Sequence, residues 1–172
     1  MLRTNIYFNL FNELMTKAES LYGQRDRSYT INDITITNAE QPCIHVTSES
    51  IDILLGKDCI SPTDTITIFQ LSHEIIHCLQ PNKRQDVTYL EEGLAVYYSL
   101  LCSPTIHLDP ITDIKYEQPY SLVTELLRYD NDIIKKARMY EPNLSKLTEN
   151  NLLRICHNIP ANLISKLTKK FY

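Results

Sequence analysis

The chain is short of several things, and each shortage closes off a class of function. No stretch of its 172 residues approaches the ~18 consecutive apolar residues that a membrane-spanning helix needs, so no membrane partner is expected. The opening residues, MLRTNIYFNLFNELMTKAES, carry neither a long apolar run nor a small-residue cleavage site, and no secretory leader is expected. Cysteine occurs five times (Cys43, Cys59, Cys78, Cys102, Cys156) but never as C-x-x-C. An odd number at wide spacing argues against a disulfide framework or a cysteine-held zinc, and fits reduced thiols in a cytoplasmic protein. A positive balance is also lacking: 17 Lys+Arg against 21 Asp+Glu leave a formal charge of −4. Nucleic acid is therefore not expected as a partner, since phosphate binding needs a basic surface.

What is present is the balance of a soluble globular protein, 43% hydrophobic and 22% charged. The charge is uneven. Residues 1–114 hold 7 Lys+Arg against 15 Asp+Glu, and residues 115–172 hold 10 against 6. The basic C-terminal excess reads either as solvated helix faces or as a surface for a partner protein.

Ile6, Leu10, Leu14, Ala18 and Leu21, with Phe11 and Met15 alongside, predict an amphipathic helix over 4–22 that ends near Gly23. Alternating segments follow: ITIT around Ile34 and Ile36, CIHVT around Ile44 and Val46, and IDILL around Ile51, Ile53 and Leu55. Residues 38–42 read as the turn between the first two. SPTD at 61–64 predicts a helix start with Ser61 as N-cap, Pro62 at the first helical position and Asp64 closing a capping box. That helix should run to Leu79 and stop before Pro81, and another should run from Val87 to Leu101. Residues 103–113 read as a loop, and three or four shorter helices fill 117–172, broken near Asn131, Pro142 and Pro160. With no repeat, low-complexity tract or linker, one α+β domain over 1–172 is expected.

The helix over 61–79 contains QLSHEIIHCLQ. His73 and His77 are one turn apart and share a face, so both imidazoles can point at one ion. Glu74 is displaced around the helix, where it can reach a water on that ion. Zinc held by three protein ligands keeps a fourth position for water, whose pKa it lowers to about 7, and a carboxylate beside that water can take its proton. With 5 His and 11 Glu in the chain, about 0.01 chance matches to H-E-x-x-H are expected. Around the motif, Leu71, Ser72, Ile75, Ile76, Cys78 and Leu79 are all uncharged, as a buried metal helix requires. The third ligand falls on the next helix, in YLEEGLAVYYS (89–99), where spacing alone does not choose between Glu91 and Glu92.

H-E-x-x-H followed on a second helix by E-G-x-A resembles the gluzincins, zinc metallopeptidases whose third ligand is a glutamate, and in particular their minigluzincin branch. The resemblance implies one zinc per chain held by His73, His77 and Glu92, with Glu74 as general base. It makes Gly93 and Ala95 the small residues that let the two helices approach, and leaves Glu91 as a solvated residue, with a supporting or amine-binding role as the alternative. KYEQPYSLVTELL (115–127) is similar to a segment whose tyrosine steadies the oxyanion of the tetrahedral intermediate. The matching position is Tyr116, with Tyr120 as fallback because Pro119 departs from the family's small residue. The implied fold is zincin-like: a small N-terminal sheet with an edge strand, 42–48 or 50–56, beside the metal helix, then a mostly helical C-terminal part. The resemblance covers 73–123 in three pieces. It implies hydrolysis of a peptide or protein substrate by zinc-polarised water. The competing expectation is a regulatory or interaction domain that keeps a structural zinc. His45, His107 and His157 read as bystanders.

Overall fold

The computed structural model describes residues 6–106 and 114–172, and the chain is α+β: among those residues, seven α-helices and one three-stranded sheet. Helix α1 (Tyr7–Tyr22) buries Phe11, Leu14, Met15, Ala18 and Tyr22 at three- and four-residue spacing. Its buried stripe is rotated from the one expected, because Tyr22 turns inward while Ile6 and Leu21 stay exposed. The helix stops where Gly23 takes a φ of 95°, a left-handed conformation that a side chain would strain.

Strands β1 (Thr30–Ile36), β2 (Cys43–Val46) and β3 (Ser50–Leu55) lie in the order β1-β3-β2. β3 is central, parallel to β1 and antiparallel to β2, and its Ile51, Ile53 and Leu55 are fully buried. Residues 37–42 therefore carry the chain across the sheet, and the tight return lies at Thr47–Ser50, where Thr47 N donates to Ser50 O at 2.9 Å. Of the two candidate edge segments, β2 is the edge and β3 is the interior strand.

Helix α2 (Thr65–Leu79) begins later than expected. Asp64, not Ser61, is its N-cap and accepts from Thr67 N at 3.3 Å. Residues 61–64 form a turn closed by Asp64 N to Ser61 O, 3.0 Å, with Pro62 at the position a turn favours for its fixed φ. The helix ends at Leu79, before Pro81, as predicted. Gln70 Oε1 accepts from Gly56 N at 2.7 Å, which ties the end of β3 to α2.

Helix α3 (Tyr89–Cys102) starts from Thr88, whose side chain accepts from Glu91 N; Val87 is still extended. α4 (Ile114–Tyr129), α5 (Ile133–Tyr140), α6 (Glu149–Ile155) and α7 (Ala161–Leu167) follow, with breaks at the three predicted places. The predicted loop at 103–113 lies in large part, with His107, outside the described residues. One cluster of buried apolar side chains extends from Phe11 on α1 to Leu167 on α7.

Gly93 serves a different contact from the one the resemblance implies. A Cβ there would overlap the carbonyl of Pro119 and come within 2.7 Å of Val123 Cγ2, so this glycine lets α4, not α2, approach α3. Of the ten Lys and Arg in the basic C-terminal part nine are exposed, as solvated helix faces require, and Arg138 is the exception. Arg138 is buried, and its guanidinium donates to the carbonyls of Tyr22 (2.9 Å), Gly23 (2.7 Å), Gln24 (2.9 Å), Leu79 (3.4 Å) and Pro142 (2.9 Å). One side chain thus satisfies the carbonyl ends of both α1 and α2.

Candidate metal centre

Helix α2 presents His73 and His77 on one face, and α3 packs against it with Glu92 in its first turn. The Nε2 atoms of the two histidines are 3.4 Å apart. His73 Nε2 lies 3.1 Å from Glu92 Oε1, and His77 Nε2 lies 3.8 Å from Glu92 Oε2. Four-coordinate zinc with bonds near 2.0–2.2 Å places its ligand atoms about 3.3 Å from one another. The three donors fit that spacing, and they form one group within 4.8 Å.

The state of Glu92 is the sharper observation. Its residue is 1% exposed, and among the described residues neither carboxylate oxygen has a hydrogen-bond partner. The 3.1 Å approach of His73 is an ion-pair distance without hydrogen-bond geometry. A buried carboxylate in that condition is costly, and a cation shared with the two imidazoles would relieve it. Burial works to raise the pKa of Glu92, but His73 by contact and charge, then His77 and Lys115, outweigh it and hold the carboxyl below its ordinary range.

The other nitrogen of His77 is also committed. Its Nδ1 lies 2.8 Å from Glu91 Oε1. As Nδ1–H donor to that carboxylate, the ring keeps its Nε2 lone pair for a metal. Glu91 is 2% exposed, so it is not the solvated residue expected. Its second oxygen accepts from Asn82 Nδ2 at 2.8 Å and from Ser145 Oγ, and Asn82 and Asn143 exchange hydrogen bonds at 2.6 and 3.0 Å. A signal was present in the sequence: Glu91 shares its helix face with Leu94, Ala95 and Tyr98, all fully buried, which leaves no solvated side for it. Burial lowers the pKa of His77, but the bond to Glu91 and the charges of Glu92, Glu91 and Glu74 outweigh it and raise it to about 10.

Glu74 is buried beside the cluster, 3% exposed. Burial raises its pKa and Glu92 adds to the rise, while His73, His77 and Arg84 pull against it. The edge strand β2 lies near: the thiol of Cys43, raised chiefly by burial, also responds to the charges of Glu74 and Arg84.

Tyr116 stands at the site despite Pro119, which is accommodated inside α4. Its ring is edge-on to His73, with centroids 6.3 Å apart. Burial raises its pKa, and Glu92 and Glu74 raise it further against the opposing effects of Arg84 and Tyr172. Tyr120 is elsewhere, stacked on Tyr97 at 6.3 Å. His45 is on β2 with Asp52 3.7 Å from its Nδ1, outside the cluster.

The chain matches no family model, no curated protein and no solved structure. Among the described residues no helix is long and apolar enough to cross a membrane.

Proposed function

We propose that this protein is a gluzincin-like zinc metallopeptidase of the minigluzincin type, with one zinc held by His73, His77 and Glu92. The observation that carries the reading is the Glu92 carboxylate, buried without a hydrogen-bond partner and faced by two imidazole Nε2 atoms at ligand-to-ligand distances. Zinc, when bound, supplies Lewis-acid polarisation of a water and of the peptide carbonyl. Glu74 takes the proton of the attacking water and returns it to the leaving amine; its buried setting, which favours the neutral form, suits a group that must hold that proton in between. Tyr116 donates its O–H to the carbonyl oxygen as that oxygen gains charge, an interaction realised in the transition state. Glu91 fixes the ring of His77. The edge strand β2 is where an extended substrate would pair.

A structural zinc would need the three ligands and nothing more. The buried Glu74 beside them favours the catalytic reading, because an ionisable carboxylate in that setting is costly unless it is used. The test is metal content together with peptide hydrolysis. Elemental analysis should give close to one zinc per chain, and a chelator should remove both metal and casein hydrolysis, with zinc restoring both. Protein prepared without chelators that contains no zinc, and takes up none, would refute the proposal.

A further inference from the structure

Residues 169–172 form a short clip along the start of α3. Tyr89 N donates to Lys169 O and Phe171 N donates to Val87 O, both at 2.9 Å, so that Lys170 bridges antiparallel to Thr88. Lys170 Nζ adds a bond to Asp86 O at 2.6 Å. The clip delivers Phe171 and Tyr172 to the end of α3 that carries Glu92. Phe171 packs on Tyr116 with ring centroids at 5.7 Å, and Tyr172 is edge-on to Phe171 at 4.7 Å. Since Tyr116 itself abuts His73, these rings form one wall of the candidate site.

Two cations stand on that wall. Lys115 Nζ is 4.3 Å from the Tyr172 ring centroid, 4.7 Å from that of Phe171 and 5.8 Å from that of Tyr116. Arg84 Cζ is 4.6 Å from the Tyr172 centroid. Both residues are exposed. The Lys and Arg ion pairs among the described residues use Arg27, Lys57, Lys136 and Lys170, and include neither of these two. A ring face attracts a cation without neutralising it, and the ammonium and guanidinium keep N–H donors for an acceptor. Two acidic groups of the site are buried and turned elsewhere: Glu92 toward the histidines, Glu91 toward His77, Asn82 and Ser145. The charges of Arg84 and Lys115 nonetheless reach the site, Arg84 acting on Glu74 and Tyr116, and Lys115 on Glu92.

We infer that Arg84 and Lys115, held on the Phe171–Tyr172 rings beside Tyr116, form a subsite for a carboxylate of the substrate, so that the site selects acidic peptides. This rests on the peptidase reading and deepens it. The carboxylate could belong to an Asp or Glu side chain or to the substrate's own C-terminus, and both present the same planar pair of acceptors to a guanidinium and an ammonium.

The test uses the zinc-loaded Glu74→Gln protein, so that peptides bind without turning over, and fluorescein-labelled peptide pools read by anisotropy. One pool pair is amidated and carries either Glu or Gln at a fixed central position. A second pair carries only neutral side chains and ends in either a free carboxylate or an amide. At least one acidic member should bind about tenfold more tightly than its neutral counterpart. Which pair shows the gain identifies the source of the carboxylate. Adding Lys115→Gln and Arg84→Gln together should remove the gain, while Lys166→Gln, an exposed cation on α7, should leave it. Equal affinities within both pairs would overturn the inference, as would a preference that survives the double substitution. A preference that behaves as expected, in a protein whose unsubstituted form hydrolyses none of the pools, would leave the carboxylate subsite standing and overturn the peptidase reading.

Discussion

Helices α2 and α3 and the C-terminal segment 133–172 both bury polar side chains, and they satisfy them to different degrees. In the C-terminal segment the buried polar groups are satisfied. Arg138 spends its guanidinium on five carbonyls, Asn143 pairs with Asn82, and Ser145 donates to Glu91. On α2 and α3 two residues break the pattern, Ser72 with one hydroxyl and Glu92 with both carboxylate oxygens buried without hydrogen bonds, and only Glu92 of the two carries a charge. Groups of the first kind hold a fold together, and a buried carboxylate of the second kind, faced by two imidazoles, is a candidate to bind a cation. The satisfied network ends at the unsatisfied one: Ser145 and Asn82 hold Glu91, Glu91 holds His77, and His77 faces Glu92.

The sharpest way to break this comparison is to remove the ligands. His73→Ala, His77→Ala and Glu92→Ala should each abolish tight zinc binding, read by elemental analysis after dialysis, and Glu92→Ala should leave the chain folded because no hydrogen bond goes with it. Retained stoichiometric zinc in any of the three would show that the cluster is not the metal site. Next in size is Tyr116→Phe, which should lower kcat by roughly 10²-fold, about 2.7 kcal/mol, with little change in KM and in zinc content. Tyr120→Phe is its control and should be nearly silent, since that ring stacks on Tyr97 away from His73.

The link between the two regions is tested by Glu91→Gln. An amide can still contact His77 but no longer supplies the charge, and zinc affinity should fall by roughly 10–100-fold in competition with a chelator. Ser145→Ala should move it the same way by less. Unchanged affinity in Glu91→Gln would mean that the supporting network and the ligand cluster are independent. The smallest expected effect is on stability alone. Gly93→Ala presses a methyl group against the Pro119 backbone and should cost about 1–3 kcal/mol, seen as a lower Tm, with zinc content unchanged.

The α2 half of the candidate site was legible because its information is local. His73, Glu74 and His77 lie within one turn and a half of a helix whose uncharged neighbours announce its burial, and all six of those neighbours are buried. Glu92 needed the resemblance, since two adjacent glutamates differ in direction and not in spacing. The supporting shell was illegible for the converse reason. Asn82 meets Asn143 across 61 positions, Ser145 meets Glu91 across 54, and Arg138 reaches Tyr22 across 116. No periodicity encodes such pairings, and a serine or asparagine in a loop reads as turn chemistry. The path of residues 38–42 was illegible on similar grounds: alternation shows that β1, β2 and β3 are strands but not that β3 inserts between the other two. The start of α2 was misplaced because Ser61 and Asp64 are both good caps, and the turn built on Pro62 decides between them.

The most direct test of the central claim is Glu74→Gln. The substitution keeps the shape of the side chain and removes the base, and none of the three ligands is touched. Zinc content by elemental analysis and hydrolysis of a peptide library should be measured on the same preparations. The account predicts close to one zinc per chain in both proteins and turnover lower by roughly 10² or more in the variant. Parental turnover in Glu74→Gln, with zinc intact, would contradict the mechanism, and absence of turnover in both proteins would mark the zinc as structural.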